Sequence, residues 1–310
     1  MGIFSFIGKV ASGIASGIAK VASCISSTVA TAASGAIKMA STAVSALSSC
    51  GGFIGTIAAG ASKLLASVST FIAGPLGPIV GPIIVQLVVE AIGKAVEWAA
   101  KKLGIIEEED EVEEVGYRME EAEKHDDWEK RENFGSFAEY HDYLKEKIPA
   151  EAIDRDRLER NKLMYRSLGI CALKDGIETK LGIDMPIDFL IEIGKCRLDG
   201  QELYALIDEF STKGYDLSLF RKYLQGELSE DMRRNVEDGI LVALKKVYPE
   251  KTTGDLKTQL EAMRNVSREE GMMIETYKDA LDPLIKKDKT VQTVQDMPTL
   301  SNIEKGDEQQ

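Results

Sequence analysis

The first fifty residues place an aliphatic or alanine side chain at every third or fourth position. The aliphatic positions are Ile3, Ile7, Val10, Ile14, Ile18, Val21, Ile25 and Val29. The row then continues through Ala32, Ala36, Ala40, Ala43 and Leu47. A repeat of eleven residues corresponds to about 3.67 residues per turn and keeps one face nearly straight along an α-helix. A second row, two positions further along, holds only Ser, Thr and Lys. The two rows predict a long amphipathic helix, which needs a surface or partner because Gly and Ser lower helix propensity.

A second amphipathic segment follows the glycine pair 51–52. Its predicted apolar face consists of Phe53, Ile57, Ala61, Leu64, Val68 and Phe71. The segment ends at AGPLGPIVGP, where three prolines predict a tight apolar turn because proline cannot continue a regular helix. A strongly apolar helix is predicted from Ile83 to Leu103, stopped by two lysines and Gly104. No charged residue occurs between Leu64 and Val89.

The rest of the chain predicts a smaller helical domain behind an acidic segment. Residues 106–133 are interpreted as an acidic connector or a solvated helix, because runs of charge are usually solvated. Residues 134–287 predict a helical domain, with further helices over 156–173, 186–196, 218–224, 230–247 and 253–286. Capping boxes are predicted at Ser136 and at Asp199. The polar, aperiodic residues 288–310 predict a disordered tail, so the expected fold class is all-α.

Charge is distributed unevenly between the two parts of the chain. The net charge is −13, yet residues 1–105 hold seven lysines against two glutamates, a balance of +5, which leaves −18 for residues 106–310. No acidic residue precedes Glu90. The overall charge argues against nucleic acid as a partner, whereas the weakly cationic first part suits an anionic lipid surface.

The sequence shows none of the common catalytic or metal-binding motifs. Four cysteines without a C-x-x-C pair predict free thiols and folding in the cytoplasm. His125 and His141 are the only histidines and are interpreted as surface residues beside the acidic run. No P-loop, G-x-S-x-G, H-E-x-x-H or Rossmann fingerprint occurs. We therefore expect a protein that is not an enzyme and that uses neither a metal nor a cofactor.

Small residues four apart suggest how the first helix associates. Gly13 and Gly17 form a G-x-x-x-G pair within an Ala- and Ser-rich helix, and such a pair opens a groove in which a second helix backbone packs closely in lipid. A long Ala-rich helix packed within a soluble bundle has a similar composition, so that alternative stays open. Residues 3–49 would extend ~70 Å as one helix, which is too long for a single straight crossing of the ~30 Å hydrocarbon layer.

These observations lead to a residue-level hypothesis of membrane contact. The residues expected to contact acyl chains are Ile3, Phe4, Ile7, Val10, Ile14, Ile18, Val21, Ile25, Leu64, Val68 and Phe71. Gly13 and Gly17 are expected to mediate helix association. The residues expected to meet lipid headgroups are Lys9, Lys20, Lys38 and Lys63. Residues 1–105 are thus predicted to form a membrane-active helical region, in which the apolar hairpin inserts conditionally.

The stretch ASGIASGIAKVAS, the Gly-Pro turn and the apolar helix after it together resemble glycine-zipper pore-forming toxins, especially the membrane-depolarising effectors of bacterial type VI secretion. The resemblance covers roughly residues 1–105 and is one of composition and layout. It implies a pore-forming toxin that is soluble before delivery, self-associates and acts at a target membrane. It also implies a partner for shielding, delivery or immunity.

Two alternatives stay open at this stage. The membrane-penetration proteins of non-enveloped viruses such as the orbiviruses also begin with M-G and amphipathic Gly/Ala/Lys helices, and they imply the same mechanism of lipid perforation. A soluble structural or adaptor protein would instead use its Ala-rich helices to bundle with a partner protein. Only lipid binding by the first region separates the adaptor from the other two.

Overall fold

The structure is a computed structural model that describes residues 27–74, 76–269 and 272–281. The predicted aliphatic row from Ile3 to Ile25, the Gly13–Gly17 pair and the lysines at positions 9 and 20 lie outside the described residues. The predicted tail, residues 288–310, also lies outside them. Every regular element among the described residues is helical, which confirms the all-α fold class.

The helices are numbered in chain order. They are α1 (Ser27–Leu47), α2 (Gly52–Ala73), α3 (Gly77–Lys102), α4 (Val112–Ala122), α5 (Phe137–Lys147), α6 (Arg155–Arg160), α7 (Lys162–Leu181), α8 (Ile187–Lys195), α9 (Gly200–Thr212), α10 (Ser218–Gln225), α11 (Glu230–Val247), α12 (Thr253–Arg268) and α13 (Met273–Thr276). Short 3-10 turns lie at Arg131–Asn133 and Ala150–Ala152.

Local sequence signals predicted several helix ends correctly. Helix α11 has the predicted bounds, and α3 ends at Lys102 before Gly104, whose φ of 61° is left-handed. The capping box at Asp199 is present, because its side chain accepts from the backbone N–H of Glu202 while Glu202 accepts from that of Asp199. At Ser136 only half of the predicted box forms, since the Glu139 carboxylate accepts from the N–H of Gly135 instead.

The predicted tight turn over AGPLGPIVGP is wrong from Gly77 onward. The helix begins at Gly77 and contains both Pro78 and Pro82. Pro78 lies in the first turn, where a backbone N–H has no partner within the helix. Pro82 withholds only the hydrogen bond to the Pro78 carbonyl, and Pro78 is exposed, so water can supply the missing donor. The prolines therefore start a helix here rather than interrupt one.

The buried face of α1 also differs from the predicted row. The buried positions are Ala30, Ala33, Ile37, Ala40 and Val44. Ala32 is exposed and Ala36 and Ala43 are half-buried, so the eleven-residue row does not describe the packing of this helix. The reason is size, because Ile37 and Val44 bury more apolar surface than the alanines of the predicted row.

The acidic segment is neither a connector nor a solvated helix over Val112–Ala122. Most residues of α4 are buried, among them Glu113 and Glu114. Two glycines allow this burial: a Cβ on Gly116 would lie 1.9 Å from the Tyr165 carbonyl oxygen, and one on Gly169 would lie 1.9 Å from that of Val112. Helices α4 and α7 therefore cross with their backbones in contact, a packing that charge counting alone does not predict.

One apolar core runs through the described residues. It includes side chains from Ala33 in α1 to Leu281 near the end, and residues on both sides of the predicted boundary at 105 belong to it. Helix α3 lies at its centre and packs against α2, α7, α8 and α9.

Candidate membrane-active hairpin

Helices α2 and α3 follow one another in the chain and pack against each other as an apolar hairpin. In this hairpin, 20 residues of α2 and 26 residues of α3 are long and apolar enough to cross a membrane. At about 1.5 Å per residue these lengths are about 30 Å and about 39 Å, enough to cross a hydrocarbon layer of about 30 Å. A core helix of a soluble protein passes the same test, and here the most apolar windows of α2 and α3 are 44% and 67% buried inside the protein.

The predicted apolar face of α2 is the face that packs inward. Leu64 and Val68 are fully buried and Phe71 is 4% exposed, so these three predicted lipid-contacting residues contact protein in the described structure. Lys38 and Lys63 are exposed on α1 and α2, where their ammonium groups are free to meet an anionic surface. The helix pattern therefore predicted the apolar face of α2, and the occupant of that face in this structure is protein.

Glycines of the surrounding helices let α3 approach their backbones. A Cβ on Gly194 of α8 would lie 2.7 Å from Ile92 Cγ1 and 2.9 Å from the Val88 carbonyl oxygen. A Cβ on Gly200 at the start of α9 would lie 2.3 Å from Trp98 Cβ. A Cβ atom at either position would collide with α3, so only glycine allows α8 and α9 to pack this closely against it.

Helix α2 meets α7 through Gly60 and Cys171. A Cβ on Gly60 would lie 3.2 Å from the Cys171 Sγ atom and 3.6 Å from its Cβ. Burial raises the pKa of the Cys171 thiol to about 12, so this cysteine packs as a small neutral side chain.

Ion pairs and hydrogen bonds hold the second half of α3. Glu97 accepts from Lys101 Nζ at 2.7 Å and from the backbone N–H of Val112 at 3.0 Å, which fixes the start of α4 to α3. Glu90 accepts from Lys94 Nζ at 2.6 Å. Burial opposes the ionisation of Glu90, but Lys94 and then Arg166 act in the other direction and bring its pKa below the ordinary value.

Arginines of residues 155–166 pair with the acidic side chains of α4. Arg166 Nε donates to Glu113 at 2.9 Å, and Arg155 Nη1 donates to Glu114 at 2.6 Å. Arg157 donates to the carboxylates of both Glu120 and Glu121. Sequence reasoning missed these partners, although the basic positions in RDRLER and Arg166 were a signal that acids elsewhere would be paired.

The interpretation of both histidines as surface residues is wrong for His141. Its side chain is completely buried, and neither ring nitrogen has a hydrogen-bond partner. His125 is half-buried and stacks on Trp128, with ring centroids 4.1 Å apart. The sequence signal for the burial of His141 is the apolar spacing of Phe137, Tyr140 and Leu144, which places position 141 on the same inward face.

Over the part of the chain that the structure describes, no group of three or more His, Cys, Asp or Glu side chains is arranged to hold a metal ion. The geometry instead brings together two apolar helices, a shell of helices that covers them and ion pairs that fasten the shell. No family model, no curated protein and no solved structure matches this chain.

Proposed function

We propose that this chain is a membrane-inserting, pore-forming protein of the toxin or effector kind and that the α2–α3 hairpin is the part that enters the bilayer. The observation that supports this proposal most is the uncharged stretch from Leu64 to Val89, which covers the second half of α2 and the first half of α3. A hairpin that enters hydrocarbon must keep the part that enters free of charged side chains.

The same apolar faces serve in water and in lipid. In water, α2 and α3 bury Leu64, Val68, Val85 and Val88 against protein. Acyl chains are as apolar as these protein contacts, so exchange of one for the other changes the hydrophobic free energy little. Release of α3 must break the polar contacts that leave this helix, namely the hydrogen bond from the Val112 N–H to Glu97 and the ion pair of Glu90 with Arg166.

Residues 1–63 supply the surface and assembly functions in this proposal. Lys38 and Lys63 meet anionic headgroups together with Lys9 and Lys20, while Gly13 and Gly17 mediate self-association of inserted copies. The protein is made in the cytoplasm, stays soluble until delivery and acts at a target membrane. A protein partner shields, delivers or neutralises it.

A soluble adaptor protein is the second candidate, and the burial of α3 favours it. The most apolar window of α3 is 67% buried, as in the central helix of an ordinary helical domain. On this account the exposed face of α1, which carries Lys38 and the 57%-exposed Met39, binds a partner protein and never meets lipid.

Dye release separates the two candidates. Full-length protein is added to vesicles of mixed phosphatidylglycerol and phosphatidylcholine, or of phosphatidylcholine alone, between pH 7.5 and 4.5. A pore-forming protein binds the anionic vesicles and releases a trapped, self-quenched dye from them. If no dye is released at any pH, the pore-forming function is wrong, whether or not the protein binds the vesicles. If the protein does not bind the vesicles either, the adaptor is favoured.

A further inference from the structure

Helix α5 fastens both ends of the hairpin. At the start of α2, the ring of Phe53 lies 6.3 Å from that of Phe137 and 6.1 Å from that of Tyr140, measured between centroids. Beyond the end of α3, Lys145 Nζ lies 3.1 Å from an Asp110 carboxylate oxygen and also pairs with Glu107. We call α5, Phe137–Lys147, the clasp helix.

His141 lies in the middle of the clasp helix, in a site that suits only its neutral form. The side chain is completely buried, and its Nδ1 and Nε2 atoms have no hydrogen-bond partner. The one carboxylate nearby belongs to Asp110, whose Oδ2 lies 3.8 Å from Nδ1. That oxygen already accepts from the Glu107 N–H at 2.9 Å and from Lys145 at 3.2 Å.

The charges around the ring come from three directions. Arg118 of α4 adds a buried guanidinium that lies 3.4 Å from Glu114, Lys145 lies on the clasp helix itself, and Glu107 and Asp110 lie on the loop after α3.

Helix α7 presents Gly176 to Phe137 of the clasp helix. The charged side chains of α7 around Gly176 are Lys174 and Glu178, which pair at 2.6 Å, and the half-buried Asp175. Burial comes first among the effects on the ring and lowers the pKa of His141 to about 4. Asp110 opposes that shift, while Arg118 and Lys145 add to it.

We propose that the clasp helix is an acid-operated switch: a proton on the buried ring of His141 detaches α5 from Phe53 and from the loop after α3, and so frees both ends of the hairpin. Proton uptake is unfavourable while the ring stays in this site, because Asp110 is already paired and the cations Arg118 and Lys145 oppose a further positive charge. The detachment of α5 is inferred from this geometry and does not depend on the proposed function. Its consequence for lipid entry rests on the proposed function.

The direction of the pH effect follows from linkage. In the detached state the ring takes up a proton near its ordinary pKa of about 6.5, whereas in the closed state it does so only near 4. Closure is therefore stable at neutral pH and weakens as the pH falls from about 6.5 towards 4. The equilibrium constant for opening rises roughly 70-fold between pH 7.5 and 4.5.

Amide hydrogen exchange on the full chain without lipid tests the switch, with His125→Phe as the matched control because the chain has only two histidines. We expect wild type and His125→Phe to lose protection over residues 137–147 as the pH falls, while α11, Glu230–Val247, stays protected. In His141→Phe the change over residues 137–147 should fall below about threefold. Equal loss in wild type and His141→Phe, or simultaneous loss in α11, would overturn the proposal.

If His141→Phe does not fold, a pH titration of the imidazole signals of the wild-type protein by NMR tests the switch instead. The His125→Phe spectrum identifies the signal of His141. We expect its proton uptake to accompany the loss of protection in α5, and uptake near pH 6.5 with α5 still protected would exclude the switch. Dye release under the same conditions separates the two proposals. If α5 opens without dye release, the switch is supported and the pore-forming function is wrong. If wild type and His141→Phe release dye equally as the pH falls, the pore-forming function is supported and the switch is wrong.

Discussion

Two glycines determine how closely the acidic helix α4 packs on α7. Gly116 faces the backbone of Tyr165, and Gly169 faces the backbone of Val112, so each helix contributes one glycine to the crossing. Any side chain at either position would meet a carbonyl oxygen rather than the flexible end of another side chain. The crossing then has to widen, and the buried carboxylates of α4 separate from their arginines.

Replacement of Gly169 by alanine should therefore destabilise the protein strongly. We expect Gly169→Ala to lower the free energy of unfolding by about 3 kcal/mol or more, because the new methyl group overpacks a backbone contact. Urea unfolding followed by circular dichroism measures this change.

Gly35 provides the matched control within the same chain. It lies inside α1, and a Cβ built there meets nothing within 4 Å. Gly35→Ala should raise the free energy of unfolding by about 0.5 to 1 kcal/mol through helix propensity alone. Similar effects of the two substitutions would contradict the close crossing of α4 and α7.

At the scale of elements, the acidic helix is stable in the core because its charges are paired. The side chains of Glu113 and Arg166 are only 8% and 14% exposed. Removal of one partner leaves the other charge buried without compensation, and this typically costs more than the pair contributes.

A double-mutant cycle measures this dependence. We expect Arg166→Met to lower the free energy of unfolding by about 3 kcal/mol, whereas Glu113→Leu combined with Arg166→Met recovers most of the loss. Chemical denaturation of the four proteins gives the coupling. If the double variant is as unstable as the sum of the two single variants, the pair does not hold α4 in place.

The elements that sequence reasoning predicted well are those with local signals. Asp199 and Gly104 mark helix ends through hydrogen bonds to residues close by in the chain. The apolar face of α2 follows from the helical spacing of its apolar residues. The start of α3 was missed because two prolines in the first turns were read as a break. The burial of α4 and of His141 depends on partners far along the chain, such as Arg166 and Asp110, which local patterns do not contain.

At the scale of the whole molecule, α3 connects the two parts that the charge distribution separates. It contacts α1 and α2, which precede it in the chain, and α7, α8 and α9, which follow it. Because the apolar core is continuous through it, we expect residues 27–281 to unfold in a single transition at neutral pH.

Two probes test this expectation. In Trp128→Phe the fluorescence of Trp98 reports on the packing of α3 against α9, since the chain has two tryptophans. Far-UV circular dichroism reports on all helices, most of which follow residue 105. Coincident urea midpoints are expected, whereas an earlier midpoint for Trp98 would show that the hairpin unfolds as a separate domain.

The central claim is that the hairpin must leave its helical shell to perforate a membrane. A Cβ on Gly60 would lie 3.6 Å from Cys171 Cβ, within the usual range of about 3.5 to 4.5 Å for a disulfide. Gly60→Cys, with Cys24→Ser, Cys50→Ser and Cys196→Ser to prevent other pairings, should therefore lock α2 to α7 when oxidised. Gly60→Ser in the same background is the control without the bond.

The deciding measurement is dye release from anionic vesicles by the oxidised and the reduced Gly60→Cys protein. We predict at least about tenfold less release from the oxidised protein, full recovery on reduction, and no effect of reductant on Gly60→Ser. Equal release from the locked and the reduced protein would contradict the account, because the membrane would then be perforated while the hairpin remained in its shell.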